Sequence, residues 1–201
     1  MICNTKKLFM ISRLTLIIAL TFLLGACAHP IVISPLETPA RGDASHSLKK
    51  VAYVMTDADR NKEVTTEGGG GDKVSYFPYR DLEKVIRDAL STVYSDVFVI
   101  KSPSDSATIH ENNISFVFAP EISTSSNSQS MFTWPPTQFT IELSCNATDN
   151  VGNLISRIRV VGSGAAEFSE FKTDFGLAGR RAASELSEKL KQEIITNSRL
   201  H

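Results

Sequence analysis

Residues 138–161, QFTIELSCNATDNVGNLISRIRVV, contain the pattern that decides the fold. Apolar residues from Phe139 to Ala147 alternate with polar ones, which is typical of a strand with one buried and one solvated face. Residues 149–153 favour a turn, and a second β-rich run follows from Leu154 to Val161. The stretch therefore predicts an antiparallel hairpin in the second half of the chain.

Two segments with helical periodicity flank this hairpin in the sequence. Apolar side chains recur at helical spacing between Arg80 and Tyr94, and acidic residues occupy the first turn. A second stripe begins after a cap at Thr173 or Asp174 and continues to Ile195. Because each stripe needs an apolar surface to cover, both helices are predicted to pack on one face of a sheet.

Three further β-rich runs predict the remaining strands, at residues 50–55, 96–100 and 114–119. The first two enclose a helix, which predicts a crossover joining parallel strands. A short helix is predicted within residues 104–113. The order β-α-β-(α)-β-β-β-α predicts an α+β fold. We expect a two-layer α/β sandwich, with a mixed sheet of four or five strands and two long helices on one face.

The first 26 residues have the composition of a targeting sequence. A positively charged region precedes an apolar run from Leu14 to Leu24. As a helix this run would rise only about 16 Å, so it predicts the core of a signal peptide and not a membrane span. Met10 is an alternative start, since residues 10–27 alone contain every part of such a peptide.

Leu24-Gly25-Ala26-Cys27 resembles the lipobox of bacterial lipoproteins, in which an apolar residue and two small residues precede a cysteine. The resemblance implies cleavage after Ala26. It also implies a diacylglyceryl thioether and an N-acyl chain such as palmitate on Cys27, which would anchor the protein in a membrane. A buried cysteine that follows an ordinary signal peptide is the alternative. Since an Asp after the cysteine tends to retain lipoproteins in the inner membrane, Ala28 favours the outer membrane, with the protein facing the periplasm.

The chain is predicted to have three parts: a signal peptide (1–26), a lipidated N-terminus with a flexible tether (27–47), and a periplasmic α/β domain (48–201). Residues 28–47 contain three prolines and neither a helical nor a strand period, which is typical of a tether. An alternative is that residues 31–33 dock onto the domain as an edge strand.

The charges and cysteines exclude several classes of protein. Without the first 26 residues the chain has 18 Lys and Arg against 22 Asp and Glu, a net charge of −4, and it contains no basic block. Nucleic-acid binding is therefore not expected. Since Cys3 leaves with the signal peptide and Cys27 is modified, only Cys145 remains and no internal disulfide is expected. Cys145 is interpreted as a small buried side chain.

No motif in the sequence indicates catalysis. The glycine run Gly68–Gly71 lacks the lysine and the helix that a phosphate-binding loop requires, and it is interpreted as a flexible loop. The four histidines have no metal-ligand spacing. Glu167, Glu170 and Asp174 are interpreted as a solvated connection and not as a carboxylate cluster. We therefore expect a protein that is not an enzyme, without a metal or cofactor.

Two aromatic segments stand out beside the predicted elements. Six residues in them are candidates for binding a partner protein, because rigid aromatic side chains bury much area at little entropic cost: Tyr76, Phe77, Tyr79, Arg80, Phe132 and Trp134. The alternative interpretation of Trp134 is a lid that closes one end of the core.

The lipobox, the proline-containing tether and the order of elements together resemble small envelope lipoproteins such as the YajG-like group. The resemblance implies an outer-membrane-anchored periplasmic lipoprotein that acts as a non-enzymatic binding, assembly or accessory component of an envelope complex. The alternative is a small-ligand or lipid-binding accessory lipoprotein of a transport system. That function would require an apolar cavity between the helices and the sheet.

Overall fold

The structure is a computed structural model that describes residues 28–36, 47–171 and 173–200. The predicted signal peptide and Cys27 lie outside the described residues. Within the described ranges, no helix is both long enough and apolar enough to span a bilayer.

The described residues form eight strands and five helices, followed by a short 3-10 turn at Ser198–Leu200. The strands are β1 (His29–Pro30), β2 (Ser47–Val54), β3 (Val64–Glu67), β4 (Lys73–Tyr76), β5 (Tyr94–Ile100), β6 (Ile114–Asn127), β7 (Gln138–Asp149) and β8 (Leu154–Ala165). The helices are α1 (Asp57–Arg60), α2 (Pro78–Ser91), α3 (Ser106–Glu111), α4 (Phe168–Phe171) and α5 (Leu177–Thr196).

Five strands form the main sheet in the order β5-β2-β6-β7-β8. Strand β2 pairs in parallel with both β5 and β6, while β7 is antiparallel to β6 and β8. The predicted α+β sandwich with a mixed sheet is confirmed. The predicted hairpin is β7 and β8, and alternate residues of β7 from Phe139 to Ala147 are buried.

The two long helices, α2 and α5, contribute to one core with a face of this sheet. The apolar stripe of α2 is buried from Leu82 to Leu90, as its spacing predicts. Helix α5 approaches β8 closely because small residues line the contact. A Cβ atom added to Gly162 or Gly164 would overlap the backbone oxygens of Ala182 and Ala178 on the helix.

Several boundaries differ from the prediction. Helix α2 begins at Pro78, ahead of Arg80, because proline is well tolerated in the first turn, where no intrahelical N–H bond is lost. Strand β6 continues to Asn127, beyond the run at residues 114–119 that predicts it. Residues 123–127 are all polar, yet they pair with residues 138–142 of β7. The ladder satisfies their backbone groups, so their polar side chains do not end the strand.

A second, three-stranded sheet of order β1-β4-β3 was not predicted. Strands β3 and β4 are antiparallel, and the glycine run forms the turn between them. The prediction that this run is a flexible loop is wrong for Gly69, which is buried and donates its N–H to the carbonyl oxygen of Trp134 at 2.9 Å. Two residues of the turn, Gly70 and Gly71, adopt φ values of 68° and 88° that favour glycine.

The predicted flexible tether differs from the structure over residues 28–36, which lie against the domain. Strand β1 pairs in parallel with β4, and Ile31 and Ile33 are buried. The N–H of Ile33 donates to the buried carboxylate of Asp81 at 3.1 Å. The alternative interpretation, docking of residues 31–33, is therefore closer to the structure. The apolar side chains bury area that a solvated tether would expose.

Candidate functional site

His29, near the start of the described residues, contacts Trp134, the only tryptophan of the chain, at one end of the molecule. The His29 ring stacks on the Trp134 ring with centroids 4.2 Å apart and planes at 25°. On another side of Trp134 the Phe175 ring lies 4.7 Å away, tilted by 49°. We call this region, built by His29, Trp134, Phe168, Phe175 and the loop at residues 131–135, the aromatic end.

The glycine turn shapes the loop that carries Trp134. In addition to the hydrogen bond from Gly69, the loop backbone passes so close that a Cβ atom on Gly69 would overlap the carbonyl oxygen of Thr133. A Cβ on Gly68 would likewise overlap the carbonyl oxygen of Trp134. Glycines are thus required here for close backbone approach, and they fix the position of the loop.

Three large apolar side chains project from the aromatic end into solvent. Phe132 is 97% exposed, Met131 83% and Phe168 72%. Phe132 and Phe168 border a cleft of about 470 Å³, which we call the aromatic cleft. It is lined by Phe132, Thr133, Trp134, Pro135, Phe168, Ser169, Phe171 and Phe175. The lining contains no titratable side chain, so the cleft offers apolar contact and no acid–base chemistry.

A second cleft of about 330 Å³ lies beside the first and shares Phe175 with it. We call it the arginine groove. The Arg80 guanidinium lies 3.9 Å from the centre of the Phe77 ring, and its side chain is 53% exposed. Arg180 also lines the groove, and its Nη1 lies 3.4 Å from Asp174 Oδ2. Arg180 Nε is buried without a hydrogen-bond partner among the described residues. The groove thus contains two arginines, of which Arg80 is the more exposed.

Asp81 connects the groove to the core. Burial raises the pKa of this carboxyl, while the hydrogen bond from Ile33 and the neighbouring Arg80 act in the opposite direction. Arg80 Nε lies 3.8 Å from Asp81 Oδ1. The carboxylate thus binds the N-terminal segment and is placed beside the stacked guanidinium of Arg80.

The structure separates the six predicted partner-binding residues into three pairs. Phe132 and Trp134 line the aromatic cleft, and Phe77 and Arg80 line the arginine groove. Tyr76 and Tyr79 are buried, with 1% and 8% of their surface exposed. The Tyr76 hydroxyl donates to Thr124 Oγ1 at 2.6 Å, and the Tyr79 hydroxyl accepts from the N–H of Ile122 at 3.2 Å. These two tyrosines are core residues in the structure.

Trp134 is partly buried and packs against the core cluster, as the alternative interpretation of a lid predicted. Four residues that the structure brings to the same end are not among the predicted site residues: His29, Phe168, Phe175 and Arg180. His29 lies in the predicted tether. Besides the predicted Phe132 and Trp134, the spacing of Phe168 and Phe171 around two polar residues was a further signal for the aromatic cleft.

The space between the helices and the sheet is too small for a ligand. The void bounded by Ile86, Leu90, Phe118, Leu143 and Leu190 has a volume of only about 10 Å³. This volume is about the minimum that a single water molecule needs. The alternative function as a small-ligand carrier required an apolar cavity at this place, and the described residues do not provide one.

Cys145 and the acidic residues near α4 have structural roles. Cys145 is 4% exposed, and burial raises the pKa of its thiol to about 12, so the thiol stays protonated at neutral pH. Glu170 accepts hydrogen bonds from Arg181 at 2.7 and 3.1 Å, and this pairing lowers the pKa of its carboxyl to about 2. Both groups are therefore held in states that do not exchange protons near neutral pH.

No protein-family model matches this sequence, and no curated protein matches it. Among similar solved structures is a DUF330 protein from Xanthomonas campestris, 13% identical, with a TM-score of 0.43, covering 86% of this chain and 100% of that one. A candidate lipoprotein from Caulobacter crescentus is 14% identical, with a TM-score of 0.35, over 66% and 86% of the two chains. The PelC dodecamer from Paraburkholderia phytofirmans is 14% identical, with a TM-score of 0.38, over 75% and 92%. The solved structures to which this chain is similar thus include a candidate lipoprotein.

Proposed function

We propose that this protein is a lipid-anchored envelope lipoprotein, held in the outer membrane through Cys27 and facing the periplasm. The lipobox resemblance at Leu24–Cys27 supports the anchor, and Ala28 in place of Asp supports the outer membrane. We further propose that the folded domain is a non-enzymatic accessory component that binds another envelope protein.

The arginine groove is the observation that carries this proposal. The stacking of Arg80 on Phe77 holds a guanidinium flat at the surface, where more than half of the side chain is exposed. Arginine is enriched at the centres of protein interfaces, where its planar guanidinium stacks on aromatic rings and pairs with carboxylates. A second arginine, Arg180, also lines the groove.

The shape and charge of the groove favour an extended protein segment with an acidic side chain. The lining comes from residues 30–32, 75–77 and 173–176 together with Arg80 and Arg180, so that apolar side chains and two guanidinium groups share one surface. A carboxylate in the groove could accept bidentate hydrogen bonds from Arg80. The apolar walls would cover the neighbouring side chains of the partner.

Substitution of Cys27 by serine should abolish lipid attachment, because only a thiol forms the thioether. The measurement is metabolic labelling of cells with an alkyne fatty acid, followed by detection of the labelled protein. The wild-type protein should be labelled and should sediment with the outer-membrane fraction. Cys145→Ala is the control, since its buried thiol is not the acceptor, and it should be labelled as the wild type is. Labelling that persists in Cys27→Ser would refute the anchor.

Substitution of Arg80 by glutamate should weaken partner capture by about tenfold or more, because a charge-assisted hydrogen bond is replaced by repulsion. A photo-crosslinking amino acid at Val32, an exposed residue of the groove, reports capture in living cells. Arg157→Glu makes the same charge change at an exposed position of strand β8 and should leave the crosslink intact. Equal crosslinking in Arg80→Glu and in the wild type contradicts the assignment of the groove.

A further inference from the structure

We infer that the aromatic end is a membrane-contacting surface, whose side chains Met131, Phe132 and Phe168 enter the headgroup region of the bilayer that holds the Cys27 lipid. This inference rests on the proposed anchor and adds a second attachment to it. It also gives the domain a defined orientation on the membrane.

Covalent geometry places the anchor beside this surface. Cys27 is bonded to Ala28, and Ala28 to His29, whose ring stacks on Trp134 at 4.2 Å. Two extended residues span about 7 Å, so the Cα atom of Cys27 lies within about that distance of the Cα atom of His29. Acyl chains on Cys27 would therefore enter the bilayer close to the aromatic end.

The chemistry of the surface suits a lipid headgroup region. The segment from Ile122 to Ile141 contains no charged residue, and Met131 and Phe132 lie at its centre. Aromatic side chains such as Trp134 are favoured at membrane interfaces, because one part of the ring is apolar and its N–H is polar. Glu167 and Glu170 flank Phe168, and Glu170 is paired with Arg181 at 2.7 Å, so one of these two charges is compensated.

The opposite end of the molecule differs in character and supplies a control. Strands β7 and β8 run from the aromatic end to the turn at residues 150–153, and the 12 residues of β7 span about 40 Å. Val151, in this turn, is 72% exposed and matches Phe168 in exposure. If the aromatic end contacts the bilayer, Val151 points away from it.

The first measurement uses Trp134, the only tryptophan of the chain, as a natural probe. Acylated protein, selected by its alkyne label, is reconstituted in vesicles of phosphatidylethanolamine and phosphatidylglycerol, with or without bromine on the upper acyl chain. We expect about a twofold loss of Trp134 fluorescence in the brominated vesicles, since bromine quenches tryptophan at short range and interfacial tryptophan lies near the headgroups. The double variant Phe132→Ser with Phe168→Ser should recover most of the signal, while Val151→Ser should not.

The second measurement avoids Trp134 and compares the two ends directly. An environment-sensitive fluorophore is attached to Phe132→Cys or to Val151→Cys, because Cys145 is buried and Cys27 carries the lipid. Vesicle reconstitution should shift the emission to shorter wavelength at position 132 and leave it unchanged at position 151. Equal spectra at both positions in an acylated protein overturn the membrane contact and leave the anchor intact.

Two other outcomes are also decisive. Absence of the acyl label overturns both the anchor and the membrane contact. Trp134 that escapes bromine quenching, with the same accessibility to aqueous iodide in the presence and absence of vesicles, also overturns the inference.

Discussion

Substitution of Gly162 by valine is expected to lower the free energy of unfolding by about 3 kcal/mol, the upper range for overpacking a core. A Cβ atom at this position would overlap the backbone oxygen of Ala182 and crowd the backbone and Cβ of Leu186 on α5. Because these atoms belong to a helix backbone, they cannot rotate away as a flexible side chain would. Helix α5 must therefore move as a unit, which opens its contact with β8.

Ser163→Val is the matched control, since it adds a similar side chain to the next residue of β8, where the position is exposed. Its free energy of unfolding should lie within about 0.5 kcal/mol of the wild-type value, as for ordinary surface substitutions. Chemical denaturation followed by circular dichroism measures both variants. Equal stability of Gly162→Val and the wild type would mean that α5 does not approach β8 as the structure has it.

Substitution of Tyr76 by alanine should lower the free energy of unfolding by about 4 kcal/mol, within the range for removing a large buried aromatic ring. Its ring lies 5.2 Å from that of Phe139 in an edge-on arrangement, and its hydroxyl donates to Thr124. The substitution leaves a cavity where the two sheets meet and leaves the Thr124 hydroxyl without this donor.

Phe132→Ala is the informative comparison, since both residues were selected from the sequence as partner anchors. Phe132 is 97% exposed, so its removal should change stability by about 0.5 kcal/mol or less. Thermal and urea unfolding of both variants tests the difference. If both substitutions leave the domain equally stable, Tyr76 is not part of the core and remains a candidate for partner binding.

Local periodicity was sufficient to predict the larger elements. Strand β7 alternates over its whole length and α2 has a continuous apolar stripe, so one period dominates each segment. Helix α5 packs against β7, and both long helices share one core with the sheet, so the predicted apolar faces bury one another. For this reason the α+β sandwich could be predicted from the sequence.

The smaller sheet could not be predicted, because its strands are two and four residues long. Strand β3, with the sequence VTTE, has too few apolar residues to show a period. Its position depends on contacts far along the chain, such as the hydrogen bond of 2.6 Å between the hydroxyls of Thr66 and Ser126. Such contacts leave no local signal in the sequence.

The candidate site was predicted only in part for a related reason. Tyr76 and Phe77 are adjacent, and at the end of a strand adjacent side chains point in different directions. The sequence alone could not tell which ring enters the core. Phe175 and Arg180 belong to the same groove but are separated from Phe77 by nearly one hundred residues, so only the tertiary fold brings them together.

The docking of residues 28–36 against the domain has a consequence for proteolytic release. Many anchored proteins can be shed when a protease cuts an accessible stem next to the membrane. Here Ile33 is fully buried, and the N–H of Leu36 donates to the Ser184 hydroxyl on α5 at 3.2 Å. A protease therefore finds no extended stem directly after the anchor. After a cut beyond Leu36, residues 28–36 would still be packed against the core of the domain. The domain would therefore be cleaved from this segment but retained by it.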